Sequence, residues 1–216
     1  MDSVAFPAVQ PGESAEKAGW TVLRSSGALS VLAPDGTSVE VALADTPAPS
    51  HHARHVLVLG GARSGKSSYA ESLLAGCPTV TYIATAFARP GDDEWLARVA
   101  AHRARRPPGW RTLESTDVAG LLPHSDTPVL IDCVSLWLGA HLDAADLPAR
   151  VEALTQAWES CPVLVVAVSS EVGSGVVPVS AAGRRYRDEL GRLNARLAAV
   201  ADEVWLVTAG LPRRLK

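Results

Sequence analysis

Apolar and polar positions along this chain fall into two alternating patterns. The first is a set of short, nearly continuous apolar runs: His55 to Leu59, Thr79 to Thr85, Pro128 to Asp132, Val163 to Val168 and Val204 to Val207. Runs of this length, bounded by turn residues, predict buried strands, and the all-apolar Val163 to Val168 predicts a central one. The second pattern lies between the runs, where apolar residues recur every three or four positions. Tyr186, Leu190, Leu193, Leu197 and Val200 share one face of a helix, and Val151, Leu154 and Trp158 form a stripe on another over 146–159. Helices are also expected over 68–75 and from Glu94 to about Arg105, the latter capped by Asp92 or Asp93 and ended by Pro107, Pro108 and Gly109. Trp110 to Leu113 is a short strand candidate, Asp117 to Leu122 a helical turn, and 170–178 a glycine-rich loop. Leu211 to Lys216 reads as a basic tail. Strand and helix signals that alternate from His55 onward predict a mostly parallel α/β sheet flanked by helices.

Residues 1–54 break this rhythm. Pro7, Pro11, Pro34, Pro47 and Pro49 interrupt them, and Thr46 to His52 reads as a linker. Trp20 to Leu23, Leu29 to Leu32 and Ser38 to Leu43 are strand candidates around a turn at Pro34, Asp35 and Gly36. The segment is therefore either a small β-meander or a loosely ordered extension. His51, His52 and His55 allow a metal reading, but a solvated linker accounts for them more simply. The expected division is an N-terminal extension, 1–54, and a main domain, 55–216.

Composition narrows the classes. A chain of 216 residues with 47% hydrophobic content can build a substantial core. Its net charge of −3 gives no basic footprint, so nucleic acid is not the expected partner. The longest apolar runs are strand-sized, too short to span a bilayer, and Met1 to Val4 lacks the basic start of a secretory signal. Cys77, Cys133 and Cys161 are too widely spaced to suggest a zinc site or a disulfide framework. A cytoplasmic enzyme with reduced thiols is the simplest expectation.

The chemistry centres on Gly60, Gly61, Ala62, Arg63, Ser64, Gly65, Lys66 and Ser67. They fit Gly-x-x-x-x-Gly-Lys-Ser, with a strand before and a helix after, the context a phosphate-binding loop requires. Glycines let backbone N–H groups turn inward around an anion, and the helix start adds partial positive charge. Lys66 is expected to reach the β- and γ-phosphates and the Ser67 hydroxyl to ligate Mg²⁺. Val129 to Asp132 has the form of a Walker B strand, so Asp132 is expected to support the same Mg²⁺; a helix-capping role is the alternative. His102 shares a helix face with Trp95, Val99 and Arg106, and spacing alone reads it as a packed or surface histidine. Arg98, Arg103, Arg105 and Arg106 make that helix basic, an ordinary solvated face unless some of them meet phosphates. Ser169 to Pro178 follows a strand at the same sheet edge, and its glycines, proline and single carboxylate, Glu171, suggest a ligand loop. Arg184, Arg187 and Asp188 open the next helix, where Asp188 either bonds an arginine or meets a ligand.

One ordered series ties these pieces together. It runs from the Gly60–Ser67 loop through Tyr82 to Thr85, Asp93-Glu94, Arg98-Val99 with His102, and Asp132 to Trp137. It continues through Glu171 to Pro178, Arg184 with Tyr186, Arg187, Asp188, Gly191 and Asn194, Ala201 to Val204, and Gly210 to Pro212. The series resembles the bifunctional adenosylcobinamide kinase / adenosylcobinamide-phosphate guanylyltransferase family of cobalamin biosynthesis, over essentially all of 55–216. The resemblance implies a RecA-like P-loop NTPase fold and two reactions. A nucleoside triphosphate, GTP or ATP, phosphorylates the aminopropanol hydroxyl of adenosylcobinamide. GMP from GTP then passes through a guanylylated histidine to adenosylcobinamide phosphate. The histidine matching the nucleophile position is His102, which reverses the reading from spacing. Glu171 is implied in nucleotide contact, Arg187 and Asp188 in substrate contact, and a homotrimer in assembly. The chain departs from the family pattern at Ser170, Gly139 and Trp95, all near the substrate. With no Asn-Lys-x-Asp motif, base preference is not legible. Another small-molecule P-loop kinase or a regulatory P-loop ATPase are the competing readings.

Overall fold

The computed structural model describes residues 21–25, 28–32, 38–42, 53–86, 99–100, 103 and 106–216. The chain divides into two compact units, Met1–Ala48 and Pro49–Lys216. In the first, β1 (Thr21–Ser25), β2 (Ala28–Leu32) and β3 (Ser38–Ala42) form an antiparallel sheet in the order β1-β2-β3. Thr21 pairs with Leu32, and Leu32 in turn with Ser38. Trp20 and the linker around His51 and His52 lie outside the described residues.

The second unit is built on a seven-stranded sheet. Its strands are β4 (His55–Gly60), β5 (Val80–Ala84), β6 (Trp110–Glu114), β7 (Val129–Asp132), β8 (Val165–Ser170), β9 (Glu203–Thr208) and β10 (Leu211–Arg214). Their order is β10-β9-β4-β8-β7-β5-β6, with every neighbouring pair parallel except β9 and β10. One strand, β8, thus separates the P-loop strand β4 from the Asp132 strand β7, which is the RecA-like arrangement. Among the described residues, the helices with both ends placed are α1 (Lys66–Leu73), α2 (Val118–Leu121), α3 (Val134–His141), α4 (Leu147–Ser160) and α5 (Ala181–Val200).

Each face of the sheet carries its own core, as strands buried on both sides require. Leu57, Ile83, Ile131 and Ala167 pack with Trp137, Leu154, Trp158 and Leu193 of α3, α4 and α5. Val56, Val58, Leu130 and Val166 pack on the other face with Tyr69, Ala70 and Leu74 in and just after α1. The strand β8 begins two residues later than its hydrophobic run suggests, because its register is set by β4: Val165 pairs with His55 and Ser170 with Gly60. The helix α3 carries no amphipathic signature, since Val134, Ser135, Trp137 and Leu138 are all buried, so periodicity gave no sign of it. The basic tail is a correction: Leu211–Arg214 is a strand that folds back on β9, with Pro212 at the sheet edge where its missing N–H does no harm.

Asp202, in the turn before β9, fixes where β4 starts. Its Oδ2 accepts from the backbone N–H groups of Arg54 and His55 at 2.8 and 2.9 Å, and His55 Nδ1 lies 3.4 Å away. Partial burial pushes its carboxyl pKa up, but the two N–H donors and the nearby positive charge outweigh this and hold it below the ordinary value. A depressed folded-state pKa contributes stability above the unfolded pKa near 4 and loses it as pH falls through the lower folded value. Asp202→Ala is expected to cost about 1 kcal/mol at pH 7, a low figure because the side chain is 47% exposed. Denaturant titrations should show the gap from wild type closing below about pH 4.

Candidate active site

The loop after β4 is shaped by close backbone approach. A Cβ on Gly60 would stand 2.4 Å from Ser64 Oγ and 2.7 Å from the Val207 carbonyl oxygen, so only glycine fits. Gly65 caps α1 with a φ of 92°, and Arg63 also has a positive φ, 54°. These left-handed positions turn successive amides toward one side, which is how a loop makes an anion nest. Ser64 is buried and its carbonyl accepts from Gly210 N–H at 2.8 Å, tying the loop to the turn between β9 and β10. Lys66, the first residue of α1, is only 9% exposed and its Nζ donates to the Gly61 carbonyl at 2.9 Å.

Parallel register brings the other groups to the same edge and face. Ala84 pairs with both Asp132 and Glu114, and Asp132 with Val168, so Asp132 and Glu114 share a row that α1 covers at the loop end. Ser67 Oγ donates to Asp132 Oδ1 at 3.4 Å, and the Tyr82 hydroxyl donates to Asp132 Oδ2 at 2.6 Å. Burial first, and then the Asp132 charge, hold the Tyr82 pKa far above its ordinary value, so this hydroxyl stays a donor. The Arg106 guanidinium stacks 3.3 Å from the Tyr82 ring centroid and donates through Nη1 to Thr112 Oγ1 at 2.8 Å. Arg103 and Glu114 form an ion pair beside it.

These groups line a cleft of about 420 Å³. Its opposite wall is built by α3 and α5: Ser135 Oγ accepts from Ser170 N–H at 2.7 Å, and the Tyr186 hydroxyl donates to the Ser135 carbonyl at 3.0 Å. Thr85 clamps the turn after β7, accepting from Cys133 N–H at 3.0 Å and donating to the Cys133 carbonyl at 2.7 Å. The site is a phosphate loop facing a carboxylate, opening onto a cavity with two arginines on its far side.

The model of the cobinamide kinase / cobinamide phosphate guanyltransferase family matches residues 56–215. The chain belongs to this family. A bifunctional adenosylcobalamin biosynthesis protein of Salmonella typhimurium, CobU, is 39% identical over 184 residues, which cover 74% of this chain and 99% of that protein. Its namesake from Escherichia coli is 40% identical over 181 residues, again covering 74% and 99%. The bifunctional adenosylcobalamin biosynthesis protein CobP of Pseudomonas aeruginosa is 44% identical over 169 residues, covering 74% and 96%. As a family member the chain is an enzyme that combines kinase and guanylyltransferase activities.

Within this cobinamide kinase / guanyltransferase fold, Lys66, Ser67 and Asp132 come together around the loop that Gly60, Gly61, Ala62, Arg63, Ser64 and Gly65 form. Asp132 does not cap α3; that position belongs to Cys133. The Glu171 N–H donates to the Gly60 carbonyl at 3.0 Å, which roots the 171–180 loop on the phosphate loop, while its Oε1 accepts from Gly173 N–H at 2.7 Å. Arg187 and Asp188 lie early in α5 and contact each other at 3.3 Å; neither lines the cleft. His102 and Trp95 lie outside the described residues. Ser170 lines the cleft, and a Cβ on Gly139 would meet the Tyr186 ring at 3.9 Å. Among the described residues no group of three or more His, Cys, Asp or Glu is placed to hold a metal. None of their helices is long and apolar enough to cross a membrane.

Tyr82, Thr85, Ser135 and Tyr186 were not identified individually as site residues from sequence. The usable signal for Tyr82 was its place two residues before the end of a strand that pairs with β7. Gly60→Ala is expected to destabilise the fold by about 1–3 kcal/mol and to weaken nucleotide binding, because either Ser64 or the β9 backbone must move. Thermal melts with and without Mg·GTP read both effects; unchanged nucleotide affinity would show that the loop adapts.

Proposed function

We propose that this cleft phosphorylates adenosylcobinamide and then joins GMP to the new phosphate, with His102 as the carrier. The observation that supports this most is the juxtaposition of the Gly60–Ser67 loop with Asp132, 3.4 Å from Ser67, at the mouth of a cleft of about 420 Å³. Backbone amides of the loop and Lys66 bind the triphosphate. The Ser67 hydroxyl and the Asp132 carboxylate are hard oxygen donors that fit Mg²⁺, and they would hold it between loop and sheet. When bound, the ion neutralises charge on the β- and γ-oxygens.

In the first reaction the acceptor hydroxyl oxygen forms a bond to the γ-phosphorus. The bond from that phosphorus to the β-bridging oxygen breaks, the nucleoside diphosphate leaves, and the hydroxyl proton goes to solvent. In the second, a neutral imidazole nitrogen of His102 attacks the α-phosphorus of GTP and pyrophosphate leaves. An oxygen of adenosylcobinamide phosphate then attacks that phosphorus, the P–N bond breaks, and the histidine is restored. We assign Glu171, in the 171–180 loop, to nucleotide contact, and Arg187 and Asp188, which lie outside the cleft lining, to the periphery of the substrate; the enzyme works as a homotrimer in the cytoplasm.

Incubation with α- or γ-labelled GTP, with and without adenosylcobinamide, tests the two reactions separately. The γ-label is expected on the acceptor and the α-label in an acid-labile protein adduct. His102→Ala should lose the adduct and guanylyl transfer while keeping γ-phosphate transfer; a covalent GMP label retained in full would remove His102 from the mechanism.

A further inference from the structure

On the far side of the cleft, Arg106 is held in place, and among the described residues no carboxylate is paired with it. Its guanidinium lies on the face of Tyr82, 3.3 Å from the ring centroid, and its one side-chain hydrogen bond among the described residues goes to a neutral hydroxyl, Thr112 Oγ1, at 2.8 Å. Its Nε is buried with no hydrogen-bond partner among the described residues. The neighbouring carboxylate, Glu114, is taken by Arg103, and Asp132 is bonded by Ser67 and Tyr82. A buried donor on a full positive charge is costly to leave unmatched, and a planar fork of donors matches the oxygens of a phosphate.

Strand order says which phosphate. The P-loop strand β4 and the Tyr82 strand β5 are three spacings apart, with β8 and β7 between them. At about 4.8 Å per spacing that is roughly 14 Å. Ser67, at the start of α1, reaches inward to Asp132, on β7. The triphosphate cradled by the loop therefore occupies the β4 side, and Arg106 faces whatever lies beyond the transferred phosphoryl group, on the acceptor's side.

We infer that Arg106 is an anion-binding residue for the phosphate ester carried by the acceptor, fixed by its stacking on Tyr82 and its bond to Thr112. This rests on the reading that the cleft takes adenosylcobinamide and its phosphate. The same phosphate is the product of one reaction and the substrate of the next, so a cation on this side retains the intermediate between them.

Titration calorimetry on the full chain, with adenosylcobinamide, adenosylcobinamide phosphate and Mg·GTP as separate probes, tests it in wild type, Arg106→Gln and Arg106→Lys. For Arg106→Gln the dissociation constant of adenosylcobinamide phosphate should rise about tenfold or more, with the other two ligands within about twofold. Arg106→Lys, which keeps the charge and loses the fork, should recover part of the loss. Equal weakening of the phosphorylated and unphosphorylated acceptors would overturn the inference, leaving Arg106 a structural residue. Weakening of Mg·GTP alone would overturn it in favour of a nucleotide contact. If wild type binds neither form of the acceptor, the functional reading itself fails and this inference with it.

Discussion

In-register parallel pairing of β4, β8, β7 and β5 is the constraint on which the site depends. Gly60 stands opposite Ser170, and Val168 opposite Asp132, which in turn stands opposite Ala84. Because side chains alternate across a strand, a slip of one residue in any pair would send Asp132 or Tyr82 to the opposite face. The apolar rows beneath, Val56, Val166 and Leu130 on one side and Leu57, Ala167 and Ile131 on the other, make such a slip expensive. Core packing and the geometry of the reacting edge are therefore one requirement.

Asp132 shows how little freedom the edge retains. Its two oxygens are assigned to different donors, Ser67 and Tyr82, so the carboxylate plane is set before any ligand arrives. Tyr82 in turn is covered by Arg106, and Thr112 sits beside it on β6. Preorganised polar groups of this kind do not reorient as charge shifts during phosphoryl transfer.

The sequence made the scaffold legible because strand runs and helix stripes have different periods, and the Gly60–Ser67 loop because its glycines do steric work that no other residue does. Asp132 was readable as the last residue of an apolar strand. What stayed hidden has two physical sources. The helix α3 carries only Ser135 and His141 among apolar residues and glycine, so it leaves no stripe, and β10 is too short and too charged to look like a strand until its pairing with β9 is known. The contributions of Tyr82, Thr85, Ser135 and Tyr186 arise from contacts across 48 to 51 residues of sequence or 35 between Ser170 and Ser135. No local pattern reports such distances. The role proposed for His102 rests on family resemblance rather than on helical spacing.

The bond from Gly210 N–H to the Ser64 carbonyl gives the β9–β10 hairpin a part in ligand binding that its position at the sheet edge would not suggest. A Cβ on Gly65 would sit 3.3 Å from Gly210 Cα, so the two turns also share van der Waals contact. Any ligand that tightens the loop around Ser64 deepens the free-energy well of this hairpin, and fraying of the hairpin loosens the loop by the same coupling energy. Amide exchange at Gly210 is thus a reporter of phosphate-loop occupancy, read from a turn outside the cleft lining.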